Sequence, residues 1–103
     1  MTMDTYTLVV RETSTHDGID ADVIDEDGLV EESTQVTYSD YDVMAERDNG
    51  GPERIEEEFT VDARSIDIQL ERDERTFVFR AIADNEDVAR IEVSDSVWNL
   101  AHT

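Results

Sequence analysis

Hydrophobic and polar residues alternate along the first part of the chain. Tyr6, Leu8 and Val10 fall on one face of an extended segment and alternate with residues 5, 7, 9 and 11 (Thr, Thr, Val and Arg). This period of two is typical of a half-buried β-strand, so the segment predicts the first strand. Residues 16–18 (His-Asp-Gly) and 27–28 (Asp-Gly) predict turns, because Asp and Gly tolerate the backbone angles of a tight reversal.

A further extended stretch is predicted from residue 34 to residue 46. Its apolar positions change phase near Asp40. The two groups are Val36 and Tyr38 before that point, and Tyr41, Val43 and Ala45 after it. A β-bulge inserts one extra residue and re-aims a strand, so the phase change predicts a bulge here.

Residues 47–52 (Arg-Asp-Asn-Gly-Gly-Pro) predict a flexible loop. They contain two of the four glycines and the only proline. The segments on either side are each too short to bury a core alone, so we expect the loop to lie inside a single domain that covers residues 1–103.

The segment from residue 53 to residue 70 has two interpretations. Its apolar residues fit helical spacing, and they fit equally well two strands that change phase at residues 64–65. A short helix over residues 52–58 is supported by Pro in a first turn and by acidic residues near the positive end of the helix dipole. From Phe59 onward the β-branched residues favour strands.

The C-terminal half predicts a β-meander. Residues 65–72 and 76–83 alternate and are joined by the polar turn 73–75, and a third strand is predicted at residues 88–93. Short connections make such neighbours antiparallel. The tail, residues 94–103, is predicted as a short capping helix or a last strand.

The predicted fold class is therefore mainly β. We expect one small antiparallel meander of about six strands, closed as a barrel or stacked as a two-layer sandwich, with room for one short helix. Eleven Val and seven Ile against four Leu support this prediction. Beta-branched side chains pack well on a pleated sheet and lose rotamer freedom in helices.

The charge composition indicates the surroundings in which the chain works. It has 28 acidic residues, eight arginines and no lysine, and its formal net charge is -20. Repulsion within such a surface opposes folding in dilute salt, whereas the Debye length falls to roughly 3 Å at 1 M salt. An acidic surface that keeps arginine and lacks lysine resembles the proteins of haloarchaea. That resemblance implies a halophilic protein in a high-salt cytoplasm.

Several classes of site are excluded or disfavoured by composition. The chain has no cysteine, which excludes disulfides and thiolate sites. No apolar run approaches the roughly 20 residues of a membrane span, and no signal peptide is recognisable, so we expect no membrane association and a cytoplasmic location. The eight arginines are scattered among acids, which argues against nucleic-acid binding.

One acidic cluster invites a cation-binding interpretation: Asp20, Asp22, Asp25 and Asp27. Hard cations such as Ca²⁺ prefer several oxygen ligands. The EF-hand spacing fails here, because Gly28 at its sixth position places Val23 at the first and Thr34 at the twelfth. With so many acids in the chain, a solvated acidic surface explains the cluster as well, and the question of a cation stays open.

Catalytic motifs are not recognisable. The two histidines, His16 and His102, lie in a turn and next to the C-terminus, and the chain has neither a nucleophile elbow nor a phosphate-binding glycine loop. We therefore expect no enzyme activity and no cofactor.

The function favoured by elimination is a protein-interaction or regulatory module that acts through an unknown protein partner or by self-association. Trp98 and Leu100 are the candidate partner-binding residues, since aromatic anchors dominate interfaces. The opposing interpretation is that Trp98 closes the end of the core. The alternative function is a β domain that binds a small ligand or a cation. An interaction module predicts an apolar surface patch, and a ligand-binding domain predicts an apolar pocket with converging polar groups.

Overall fold

The computed structural model describes residues 3–15, 17–45, 54–62, 64–98 and 100–102. These residues form nine strands and one four-residue 3-10 helix. In chain order they are β1 (Asp4–Glu12), β2 (Gly18–Ile24), β3 (Val30–Thr37), the 3-10 helix (Tyr38–Tyr41), β4 (Val43–Ala45), β5 (Ile55–Val61), β6 (Ile66–Asp73), β7 (Thr76–Ala83), β8 (Glu86–Ser94) and β9 (Leu100–His102).

The strands build two main sheets and one short ribbon, and every pair is antiparallel. The N-terminal sheet has the order β3-β2-β1-β5, the C-terminal sheet has the order β6-β7-β8, and β4 pairs with β9. Strand β5 lies against β8, and β3 lies against β6, without strand pairing across either seam. The fold is therefore sandwich-like and not a closed barrel, which confirms the mainly β, antiparallel prediction.

The core lies between the two main sheets. Leu8 and Val10 are fully buried, as their alternation predicted, and Phe77 and Phe79 are fully buried on β7. Because cross-strand partners share a face, the register extends this core across each sheet. Its further members include Ile19, Ala21, Val23, Val36, Phe59, Ala81, Ile91 and Val93.

The predicted extended stretch from 34 to 46, with its bulge, is wrong. Strand β3 ends at Thr37, the 3-10 helix follows, and Asp42 adopts a left-handed backbone conformation with φ 57°. The change of apolar phase near Asp40 thus comes from a helical turn. The physical reason is a change of sheet, since the chain leaves β3 and enters the β4–β9 ribbon.

The short helix considered over residues 52–58 is also corrected. Residues 55–58 belong to β5, whose register with β1 runs from Ile55 opposite Val10 to Val61 opposite Asp4. Pairing with β1 overrides the local helical spacing. The phase change at residues 64–65 is confirmed as the connection between β5 and β6, whereas the loop 47–52 lies outside the described residues.

The C-terminal meander is confirmed. Strands β6, β7 and β8 follow one another, and their two turns use left-handed residues, with Glu74 at φ 45° and Asp84 and Asn85 at φ 48° and 72°. The tail forms β9, which is the last-strand alternative. No helix within the described ranges is long and apolar enough to span a bilayer.

Candidate functional site

A surface groove lies where β5 ends and the β7–β8 hairpin turns, at the N-terminal end of β1. We call it the seam groove. Its volume is about 370 Å³. Four apolar and four polar residues line it: Met3, Val61, Ala83 and Val88, with Thr60, Asp62, Asp84 and Glu86.

The seam groove has an apolar interior and an acidic rim. Ala83 is buried, and Val61 and Val88 are half-buried against the core, whereas Asp62 and Glu86 are exposed. Met3 is the one large apolar side chain of the groove that is mostly exposed, at 57 %. This combination offers contact to an apolar side chain at the centre and to a positive charge at the edge.

The backbone around the seam groove is unusual because two strand edges face each other. Strand β5 is the last strand of the N-terminal sheet, and β8 is the last strand of the C-terminal sheet. They approach each other along the seam, yet in the described part of the chain β5 pairs with β1 alone and β8 with β7 alone. An unpaired edge presents N–H and C=O groups that an added strand can use.

Asp84 fixes the hairpin side of the seam groove. Its positive φ matches the tight turns that join antiparallel strands, and Asp tolerates that conformation better than most residues. The carboxylate accepts hydrogen bonds from the backbone N–H of Ser65 at 3.0 Å and of Arg64 at 3.1 Å. These bonds hold the pKa of Asp84 below its usual value. The carboxylate is therefore ionised at neutral pH and ties the β5–β6 connection to the β7–β8 turn.

A second cleft, of about 190 Å³, lies between the start of β1 and the β2–β3 turn. Its lining is mostly acidic: Asp4, Asp25, Glu26, Asp27 and Glu31, with Thr5 and Tyr6. Burial, followed by the nearby carboxylates, raises the pKa of the Tyr6 phenol. The cleft thus repels anions and offers little apolar surface.

The four aspartates of the acidic cluster do not come together as one site. Asp20 and Asp22 lie on the outer face of β2, opposite Arg11 and Val9 in the neighbouring strand. Asp25 instead accepts hydrogen bonds from the backbone N–H groups of Asp27 and Leu29, both at 2.9 Å, and so closes the β2–β3 turn. Among the described residues, no group of three or more acidic or histidine side chains is arranged to hold a metal ion.

The candidate partner-binding residues lie at the opposite end of the sandwich. Trp98 and Leu100 are 4 % and 9 % exposed and belong to the core cluster. This placement favours the interpretation that Trp98 closes the core, and their role in binding a partner stays a prediction.

The same end of the sandwich holds a buried polar network. Arg72 binds the Asp95 carboxylate with both terminal nitrogens, at 2.7 and 3.0 Å, and its guanidinium lies 4.2 Å from the centre of the Phe77 ring. The Tyr38 hydroxyl donates to Glu12 at 2.7 Å, and burial together with this carboxylate raises the pKa of the phenol. The network fastens the C-terminal segment to the sandwich, which is a structural role.

The carboxylates with shifted pKa values do not assemble an acid–base pair in the seam groove. Burial raises the pKa of Asp22, which lies on the outer face of β2, whereas the pKa of Asp84 in the groove is lowered. The Asp84 carboxylate therefore stays ionised at neutral pH, whereas a general acid needs a pKa near the operating pH. The expectation that the chain is not an enzyme stays a prediction.

No protein-family model, no curated protein sequence and no solved structure matches this chain.

Sequence reasoning did not find the seam groove. The sequence predicts strands at Val61 and Val88, but nothing in the order of residues along the chain shows that β5 and β8 meet. The available signal was the Asp-Asn pair at 84–85, a turn dipeptide that marks the hairpin end without revealing its neighbour.

Proposed function

We propose that this chain is a small acidic protein-interaction module that works in concentrated salt and binds a protein partner through the seam groove. The observation that carries the proposal is the meeting of two strand edges, both unpaired among the described residues, over an apolar interior. Edges and apolar clefts are surfaces that other chains use.

The high-salt component of the proposal rests on charge. A net charge of -20 over 103 residues, without lysine, suits a medium in which exposed charges are screened. A cytoplasmic location belongs to the same proposal.

Small-ligand binding inside the sandwich has less support. The side chains of Leu8, Phe77 and Phe79 are fully buried, so they fill the space between the sheets. A ligand would have to use the open seam groove, whose acidic rim suits a cationic group.

The test uses two matched methionine variants in a C-terminally tagged protein, purified from a halophilic host in multimolar KCl. Met3 lines the seam groove, whereas Met44 lies on β4 with a similar exposure of 54 %. We expect a stoichiometric partner with the unmodified protein and with Met44→Asp, and its loss with Met3→Asp. A lone monomer, or a partner that survives Met3→Asp and not Met44→Asp, would overturn the proposal.

A further inference from the structure

We infer that the occupant of the seam groove is an extended segment of the partner protein, with apolar and basic residues in alternation, that adds as a strand to the edge of β5. This inference rests on the proposed function and specifies the chemistry of the partner and its mode of binding.

The end of β5 offers backbone groups to an added strand. Thr60 and Val61, the last two residues of β5, and Asp62, which follows the strand, line the seam groove, and β5 is the edge strand next to β1 in its sheet. At about 3.3 Å per residue, three residues offer roughly 10 Å of edge. That length accommodates about three residues of an added strand, whose backbone hydrogen bonds supply affinity without depending on side-chain identity.

The interior of the seam groove suits apolar side chains of the added strand. Successive side chains of a strand point to opposite faces, so every second residue of an added strand turns toward the groove. There it meets Val61, Val88 and the exposed side chain of Met3. Contact with these side chains removes apolar surface from water, which is favourable at any salt concentration that leaves the fold intact.

The rim of the seam groove and the rest of β5 carry negative charges that suit basic side chains of the added strand. Asp62 and Glu86 lie on the two sides of the seam groove, and β5 carries three consecutive exposed glutamates, Glu56, Glu57 and Glu58. The positive charge of Arg64 lies close to Asp84 at this end of the groove. Like charges placed opposite each other destabilise strand pairs, whereas opposite charges stabilise them. A guanidinium on the added strand can bind a carboxylate with two parallel hydrogen bonds.

The same charges argue against a second copy of this chain as the occupant. Pairing β5 with β5 of another molecule would set one run of three glutamates against another. The carboxylates of this edge act as charges that prevent self-pairing. A basic partner segment can both form backbone hydrogen bonds with the edge of β5 and place positive charges beside its carboxylates.

The test measures peptide binding by the full chain in multimolar KCl, with backbone amide NMR as the readout. The probe is an acetylated and amidated pentapeptide, Arg-Val-Arg-Val-Arg. Two control peptides accompany it: Glu-Val-Glu-Val-Glu, and the arginine peptide with N-methylated valines, which cannot donate those backbone hydrogen bonds.

We expect the arginine peptide to shift the amide resonances of residues 60–62 and 86–88 and to slow their hydrogen exchange. The acidic and N-methylated peptides should bind at least about tenfold more weakly, a difference of roughly 1.4 kcal/mol. The double variant Asp62→Asn/Glu86→Gln should weaken binding of the arginine peptide, whereas Asp40→Asn/Glu92→Gln, at exposed positions outside the groove, should not.

Each contrary result would overturn one specific part of the inference or the proposed function. Equal binding of the N-methylated peptide rejects strand addition, and equal binding of the acidic peptide rejects the basic partner. If no peptide binds while the Met3-dependent partner is still captured, the proposed function stands and this inference fails. If the arginine peptide binds at the groove while no partner is captured, the proposed function fails instead.

Discussion

Gly18 occupies a position in β2 where a side chain has no room. A Cβ atom built there would lie 2.0 Å from the carbonyl oxygen of Val36, in the neighbouring strand β3. Gly28, in the β2–β3 turn, presents the opposite case, since it has φ 82° and open space around its missing Cβ. A substitution at Gly18 therefore tests the lack of space for a side chain, whereas a substitution at Gly28 tests the cost of a left-handed backbone conformation.

Gly18→Ala is expected to lower the free energy of unfolding by at least about 2 kcal/mol, because the β2 and β3 backbones must move apart. Gly28→Ala, the control, should cost only about 1 kcal/mol, the penalty of a left-handed alanine. Urea denaturation in multimolar KCl measures both. A Gly18→Ala cost equal to or below that of Gly28→Ala would contradict the close approach of the two strands.

The Arg72–Asp95 pair allows a second test at the residue scale. The side chains of Arg72 and Asp95 are 15 % and 8 % exposed, whereas Arg90 and Glu92 form a pair whose side chains are 60 % and 58 % exposed. Removing Arg72 would take from the buried Asp95 carboxylate the guanidinium that binds both of its oxygens.

Arg72→Met should therefore destabilise the fold by about 3 kcal/mol. Arg90→Met, the exposed control, should change stability by less than about 1 kcal/mol, because solvent already screens that pair. Thermal unfolding in multimolar KCl distinguishes them. Equal effects would show that Asp95 is solvated in solution.

At the scale of elements, β5 contributes side chains to the core and is also an edge strand that is protected against pairing with other molecules. Phe59 is buried, and its ring stacks on Tyr6 with centroids 5.7 Å apart, while Glu57 lies opposite Leu8 and so shares the core-facing side of the sheet. Glu57 is nevertheless exposed. A charge on the inward face of an edge strand is a known protection against edge-to-edge association.

Glu57→Val is accordingly expected to promote self-association. Light scattering in multimolar KCl should give a mass that rises with protein concentration above that of the unmodified chain. Asp20→Val is the control, because Asp20 lies on β2, a strand paired on both sides. If Glu57→Val scatters as the unmodified chain does, Glu57 does not protect the edge.

At the scale of the whole molecule, charge balance governs stability. The chain carries a formal charge of -20, and several arginines are already paired with acids, such as Arg80 with Glu71 and Asp87. The excess carboxylates repel one another across a small surface, and concentrated salt shortens the range of that repulsion.

Transfer from multimolar KCl to dilute buffer should therefore lower Tm markedly. For a domain of this size each kilocalorie per mole of lost stability corresponds to a fall of roughly 4–8 °C. Calorimetry across a KCl series is the measurement, and a series in NaCl separates screening from a specific effect of potassium. A Tm that does not depend on salt would contradict the halophilic interpretation.

Local alternation was sufficient for much of the fold. The period-two segments containing Leu8, Phe79 and Ile91 became strands with those residues buried, and the Asp-Gly pair at 27–28 became a turn. These features depend on neighbours a few residues away, so the order of residues encodes them directly. The charge and the absence of cysteine are likewise properties of composition alone.

Contacts between distant parts of the chain decided the features of the fold that local alternation did not predict. Residues 55–58 became a strand because β1 offered an edge, residues 38–41 became a helical turn because the chain changed sheets, and Trp98 entered the core. The seam groove exists only because β5 and β8, distant in the chain, end two sheets that stack on each other. Contacts between residues far apart in sequence leave no local period, so only the tertiary structure places the candidate site.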